Sequence, residues 1–237
     1  MSDLVRIENK LTLPSAKTAV AEFAIKRMDV ILSALGSVAD RNVFAASAIM
    51  AINELPEGCT IPSVMKAVIG AAYLQLPFGS ALGFAYLLPF KQNVTLCIGY
   101  QGFQELGMRS NFLSDIHADV ICEGEEYKYY KDETGPRLIH VPSMDRDPDR
   151  RNILGAYCLY HTVNGGRGLR LVPRKEIDKI DKQRDVWKSN FPAMCMKTAI
   201  RRAAKEWRKT PQLSYAIESD ERSEREEAPQ RPPVVIE

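Results

Sequence analysis

The chain has 237 residues, 45% of them hydrophobic and 26% charged, so it can bury a core of its own, and no apolar run approaches the ~20 residues that span a bilayer. Its formal net charge of +2 hides an uneven distribution: Arg174 to Lys209 holds twelve Lys and Arg against five Asp and Glu, whereas Glu218 to Glu237 holds seven acids against three Arg. That asymmetry points to a polyanion, nucleic acid before an acidic membrane surface, and away from a neutral metabolite. The five cysteines (Cys59, Cys97, Cys122, Cys158, Cys195) include no CxxC pair, the three histidines are not spaced with them as zinc sites require, and no secretory segment opens the chain. A reduced, cytoplasmic protein without a metal staple is expected.

In chain order, residues 1–57 read as two or three helices, with apolar residues at helical spacing in AVAEFAIKRMDVILSALGSV and FAASAIMAINEL. Thr60 and Pro62 mark a further helix, TIPSVMKAVIGAAYLQL, which Pro77 ends. FAYLLPF and VTLCIGY then read as a hairpin joined across Lys91, Gln92 and Asn93. A short helix, QGFQELGMRS, ends at Asn111, and DIHADVICE, EYKYYK and RLIHV follow as strands, the last two joined by the turn Asp132 to Gly135. ILGAYCLYHTV and GRGLRLV form another hairpin across Asn164 and Gly165, and helix resumes at Pro173. This order predicts an α+β fold: a largely antiparallel sheet of about six strands, flanked by N-terminal helices and a C-terminal basic helix. Three segments are expected: helices for self-association over 1–57, an α+β core over 58–212, and an acidic, disordered tail over 213–237.

The most informative stretch is Val186 to Lys209. Asn190 suits a helix cap and Pro192 the first turn. Lys197, Arg201, Lys205 and Arg208 recur at four, four and three residues on one face, while Met196, Ile200, Ala203 and Trp207 line another. A merely solvated face would intersperse acids among its cations, yet only Glu206 does so. Arg202, adjacent on the wheel, can instead pair with a carboxylate at the core edge. An acidic tail beside such a helix can compete with an anionic ligand for it.

Several stretches, in this order, resemble the RecT family of phage recombinases: FAYLLPF, IGYQGFQELGMRS, DVICEGEEYKYYK with PRLIHVP, ILGAYCLYHTVNGG, and VWKSNFPAMCMKTAIRRAAK, together covering about Thr60 to Lys209. The resemblance implies a protein that coats single-stranded DNA as a homo-oligomer, in a ring or helical filament, and pairs it with a complementary strand into duplex without ATP. It also implies a partner exonuclease and a prophage or phage origin in a bacterial host. For some members it adds contact with the host single-strand-binding protein through a C-terminal region, for which this chain has only a short acidic segment. Whether magnesium assists annealing is left open. The DNA contacts expected are Lys197, Thr198, Arg201, Arg202, Lys205 and Lys188 on phosphates, with Lys91 at the hairpin tip. Tyr100, Gln101 and Gly102 open a helix whose free N–H groups suit a phosphate, Arg109 adds a cation, and Phe103 and Trp187 offer rings for stacking. Core packing is the plainer role for Tyr100 and Phe103, and relief of a strand-to-helix corner for Gly102.

An enzyme reading competes. Asp115 or Asp119 followed by Glu126 and Lys128 resembles the carboxylate and E-x-K arrangement of metal-dependent nucleases, in which paired carboxylates hold an ion that activates water. The neighbouring Glu123 and Glu125 make a solvated strand and turn the plainer account. No phosphate-binding G-x-x-x-x-G-K-[ST] loop and no G-x-S-x-G elbow is present.

Overall fold

A computed structural model describes residues 19–27, 31–32, 41–79, 81–181 and 185–226. The chain divides into two compact units, Met1–Gly79 with Leu87–Thr95, and Ser80–Tyr86 with Leu96–Glu237. The first contains α1 (Ala19–Lys26), α2 (Arg41–Asn53) and α3 (Ile61–Leu74), with the tip of the hairpin β1 (Ala85–Phe90) and β2 (Asn93–Ile98). On α2, Phe44, Ala45, Ala48, Ile49 and Ile52 are buried at helical spacing; on α3, Val64, Ala67, Val68, Ala71 and Ala72 are. Pro62 sits in the first turn of α3, and Gln75, in the left-handed region at φ 56°, closes the helix before Pro77 is reached. The Thr60 amide donates to the Gln92 carbonyl at 2.7 Å and the Val94 amide to Ser63 Oγ at 2.9 Å, tying the hairpin tip to the start of α3. The sequence divides the chain after residue 57, but contacts group α3 with the earlier helices because its apolar face packs on α1 and α2. The expected helical continuation through residues 28–30 and 33–40 lies outside the described residues.

The second unit holds the hairpin base, α4 (Tyr100–Arg109), β3 (Leu113–Cys122), β4 (Glu126–Asp132), β5 (Gly135–Val141), β6 (Ile153–Thr162), β7 (Arg167–Pro173), α5 (Arg174–Ile180), α6 (Asp185–Ser189), α7 (Phe191–Ala204) and α8 (Pro211–Glu226). The α+β class is as expected, but in place of one six-stranded sheet there are seven strands in three sheets among the described residues: β1-β2, β3-β6-β7 and β4-β5. In the central sheet β6 pairs antiparallel with both neighbours, Asp119 opposite Tyr157 and Tyr157 opposite Leu171. The β4–β5 ribbon pairs with neither of the other sheets, and β4 is exposed along its whole length.

The core of this unit lies where α7 packs on β3, β6, β7 and α4. Cys195, Ala199 and Ala203 recur every four residues on α7 and are fully buried, and their small side chains let the helix approach closely. Helix α7 begins as the sequence suggests, but the Asn190 side chain bonds Ser189 Oγ at 3.0 Å instead of capping it. It ends at Ala204, so Trp207 and Arg208 lie beyond it, although Trp207 is still buried. The largest departure is at the C-terminal end: residues 213–226, expected to be disordered, continue helix α8, in which Leu213, Ala216 and Asp220 are buried. Residues 227–237 lie outside the described residues.

Candidate nucleic-acid interface

The cationic stripe of α7 does not face solvent. Lys197 and Arg201 are each only 5% exposed, and both meet Asp220 of α8, itself fully buried. Lys197 Nζ lies 2.6 Å from Asp220 Oδ1, and Arg201 donates to Asp220 Oδ2 at 2.9 Å. Burial by itself would pull the Lys197 ammonium down, but the Asp220 carboxylate beside it outweighs this and holds it above its ordinary value. Lys197 Nζ also reaches Cys97 Sγ at 3.3 Å. One turn further on, the exposed Lys205 pairs with Glu221 at 2.5 Å. Arg202 is half-buried and pairs with Glu176 of α5, the core-edge carboxylate of its second reading. Thr198 is buried, its hydroxyl donating to the Met194 carbonyl at 2.8 Å. The stripe is real as a pattern, but α8 brings carboxylates to it.

The start of α7 is fixed by an aromatic and two guanidinium groups. The Phe191 ring lies between Arg150 and Arg174, at 4.4 and 4.9 Å, and Arg150 pairs in turn with Asp181. Trp187, expected to stack on bases, is fully buried with its ring 5.9 Å from that of Phe191, so it serves the core. Its neighbour Lys188 is exposed. Phe103 is likewise fully buried.

At the start of α4, Tyr100 and Gln101 are half-buried and Gly102 is buried. A Cβ at Gly102 would lie 2.3 Å from the Phe84 carbonyl oxygen, so this glycine lets α4 approach the chain's own hairpin base, as the corner reading holds. The Gln101 amide occupies the space beside Gly83, where a Cβ would lie 1.5 Å from Oε1. Arg109 is exposed and forms an ion pair with Glu105 one turn earlier, at 2.8 Å. Lys91, in the first unit, takes the left-handed conformation at φ 55° in the hairpin turn and is exposed, with Nζ 5.7 Å from the Phe90 ring centre.

Sequence reasoning passed over Lys175 and Lys179. They stand four residues apart on α5 and both are exposed, on a helix that packs against β6 and β7 and is linked to α7 by the Arg202–Glu176 pair. Their spacing in RKEIDKI was the available signal.

The nuclease constellation is not assembled. Arg146 grips Asp119 through both carboxylate oxygens, at 2.9 and 2.7 Å, Asp115 and Glu126 are exposed, and Lys128 lies over the Tyr130 ring at 5.6 Å. Among the described residues no three His, Cys, Asp or Glu gather as a metal site. Glu125 does structural work instead. It accepts from the Cys122 and Ser143 amides at 2.6 and 3.1 Å and meets His140 Nε2 at 3.0 Å, while Tyr157 Oη lies 3.2 Å from His140 Nδ1. Burial opposes the Glu125 charge, but these donors together keep its carboxyl below the ordinary value, whereas burial pushes the Tyr157 hydroxyl up to about 12. An ionised Glu125 only accepts, so Nε2 donates to it. The network pins β5 of the exposed ribbon to the central sheet.

Comparison with known proteins decides the family. The RecT family pattern matches residues 42–233, which takes in parts of both units. The chain belongs to the RecT family. Protein RecT of Escherichia coli strain K12 is 32% identical over 179 residues, covering 69% of this chain and 64% of that protein. The uncharacterized protein YqaK of Bacillus subtilis strain 168 is 26% identical over 169 residues, covering 69% and 58%. The chain thus spans less than two thirds of the length of either relative. Among its described residues no helix is long and apolar enough to cross a membrane.

Proposed function

We propose that the chain is a DNA-recombination protein that binds single-stranded DNA as a homo-oligomer and anneals it to a complementary strand without ATP, in the cytoplasm of a bacterial host carrying the phage or prophage. The observation that carries this reading is membership of the RecT family across residues 42–233. The exposed cations Lys175, Lys179, Lys188, Lys205 and Arg109 support it, since a sequence-independent interface needs cations that reach the phosphate backbone. Tyr100 and Gln101, half-buried at the start of α4, and the separate Lys91 are further candidate contacts. Lys197, Arg201, Arg202 and Thr198 belong to this set only through their helix, which Lys205 directly follows. Trp187 and Gly102 act by shaping the unit.

Annealing requires no bond to be made or broken in the protein's hands. Cations that screen the phosphates of two strands lower their mutual repulsion, and base pairing supplies the driving force. Self-association through the N-terminal helices, a partner exonuclease that exposes single strands, and contact with the host single-strand-binding protein complete the proposal, with magnesium an optional aid to screening. The test mixes the protein with two complementary labelled oligonucleotides, without ATP, with and without magnesium, and resolves products by length and strandedness. Faster duplex formation from intact strands is expected. Strands shortened only when metal is present would replace annealing with the nuclease reading.

A further inference from the structure

Among the described residues four charged ones, Asp181, Lys197, Arg201 and Asp220, are buried over backbone and side chain together, and three of these four meet in one place, the seam between α7 and α8. Lys197, Arg201 and Lys205 follow one another at four-residue steps, roughly 6 Å of helix rise each. Two adjacent carboxylates of α8, Asp220 and Glu221, hold all three. An acidic side chain therefore stands against each of these three cations, as a phosphate would.

The way α8 is held differs along its length. Its N-terminal half carries the apolar anchors Leu213 and Ala216, both fully buried. From Glu218 onward the sequence ESDERSERE has no apolar residue, and Asp220 and Glu221 attach this half to α7 through charge. The two kinds of attachment respond differently to a polyanion. An apolar contact gives a phosphate nothing to compete for, whereas a carboxylate on a cation is replaced by a phosphate with the ion pair conserved. Buried ion pairs are also weak contributors to net stability, because the water they displace offsets most of their attraction.

We infer that the C-terminal half of α8 is an acidic cover which the backbone of single-stranded DNA displaces, its phosphates taking the places of Asp220 and Glu221 on Lys197, Arg201 and Lys205. This rests on the DNA-binding reading above and adds regulation to it. The exposed cations meet the strand first, and the seam opens second. The closed cover lowers apparent affinity by the fraction of molecules in which it is shut, and it spares the stripe from weaker anions. Pivoting about the Leu213 and Ala216 anchors requires no unfolding of α7.

The test is amide hydrogen exchange on the intact 237-residue chain, alone and with an excess of oligo(dT) at low salt. With DNA bound, the amides of residues 218–226 are expected to exchange about tenfold faster or more, while those of α7 slow. Unchanged or slower exchange over 218–226 with oligo(dT) bound overturns the cover and leaves Asp220 a permanent staple. A chain that binds no oligo(dT) at low salt overturns the DNA reading itself. A second measurement uses Glu221→Gln, which removes one carboxylate at the open edge of the seam and keeps Asp220. It is expected to bind oligo(dT) about two- to threefold tighter, in line with the strength of one partly exposed pair. Equal or weaker binding by this folded variant counts against the cover.

Discussion

Helices α5 and α7 carry cations at the same spacing, Lys175 with Lys179 and Lys197 with Arg201, and the fold treats the two pairs in opposite ways. Those of α5 are exposed, while those of α7 are buried against Asp220. The difference does not lie in either helix. It comes from what packs on the second face: α7 lies between the central sheet and the α4 and α8 helices, so both of its sides are covered, whereas α5 rests on β6 and β7. A cationic stripe therefore announces an anionic partner without saying whether that partner is a ligand or another part of the same chain.

Three substitutions sharpen this contrast between buried and exposed. The largest effect is expected from Trp187→Ala, which empties a fully buried ring site and should lower unfolding free energy by about 3–5 kcal/mol in urea titrations. A loss within about 0.5 kcal/mol would return Trp187 to the surface and to base stacking. Next comes Asp220→Asn, which breaks a buried pair from one side. We expect a loss of about 3 kcal/mol, the low end for such a break, because release of α8 lets Lys197 and Arg201 regain water. Lys175→Ala should stay within about 0.5 kcal/mol in the same titration.

A fourth substitution concerns Glu125, a buried charge that belongs to neither helix. Its folded value lies below the ordinary 4.5, so its ionised form is the one the fold prefers. The stability it contributes is present above the ordinary carboxylate range and is lost as pH falls through the lowered folded value. Glu125→Gln should therefore cost on the order of 1–3 kcal/mol near neutral pH and flatten the acid limb of the thermal unfolding profile. An acid limb as steep as in the unsubstituted chain would show that other carboxylates set it.

Much of this was legible in the sequence. All three hairpins were, because alternating apolar residues were bounded by turn residues such as Asn164-Gly165, and local chemistry fixes such pairs. Their division into three sheets was not, since the separation of β4–β5 depends on what surrounds the ribbon. Helix α7 was found with its start correctly placed and its small-residue face left implicit. The residues from Glu218 onward read as disordered because their sequence lacks an apolar stripe, and their helix is held instead by Asp220 and Glu221 meeting cations that lie fifteen or more residues away in sequence. Periodicity reports apolar faces and is silent about long-range charge pairing. The same limit hid the burial of Trp187 and the Arg146 grip on Asp119, both of which require the tertiary fold.

DNA binding gives the most direct test of the claim that exposed cations meet the phosphate backbone. Binding of a fluorescent oligo(dT) should be measured across a range of salt concentrations for the unsubstituted chain and for Lys175→Ala with Lys179→Ala. Losing two phosphate contacts should weaken binding about tenfold at low salt and make the dependence of log affinity on log salt shallower by about 1.4. A folded double variant with unchanged affinity and an unchanged salt slope would contradict the claim and place the DNA elsewhere on the molecule.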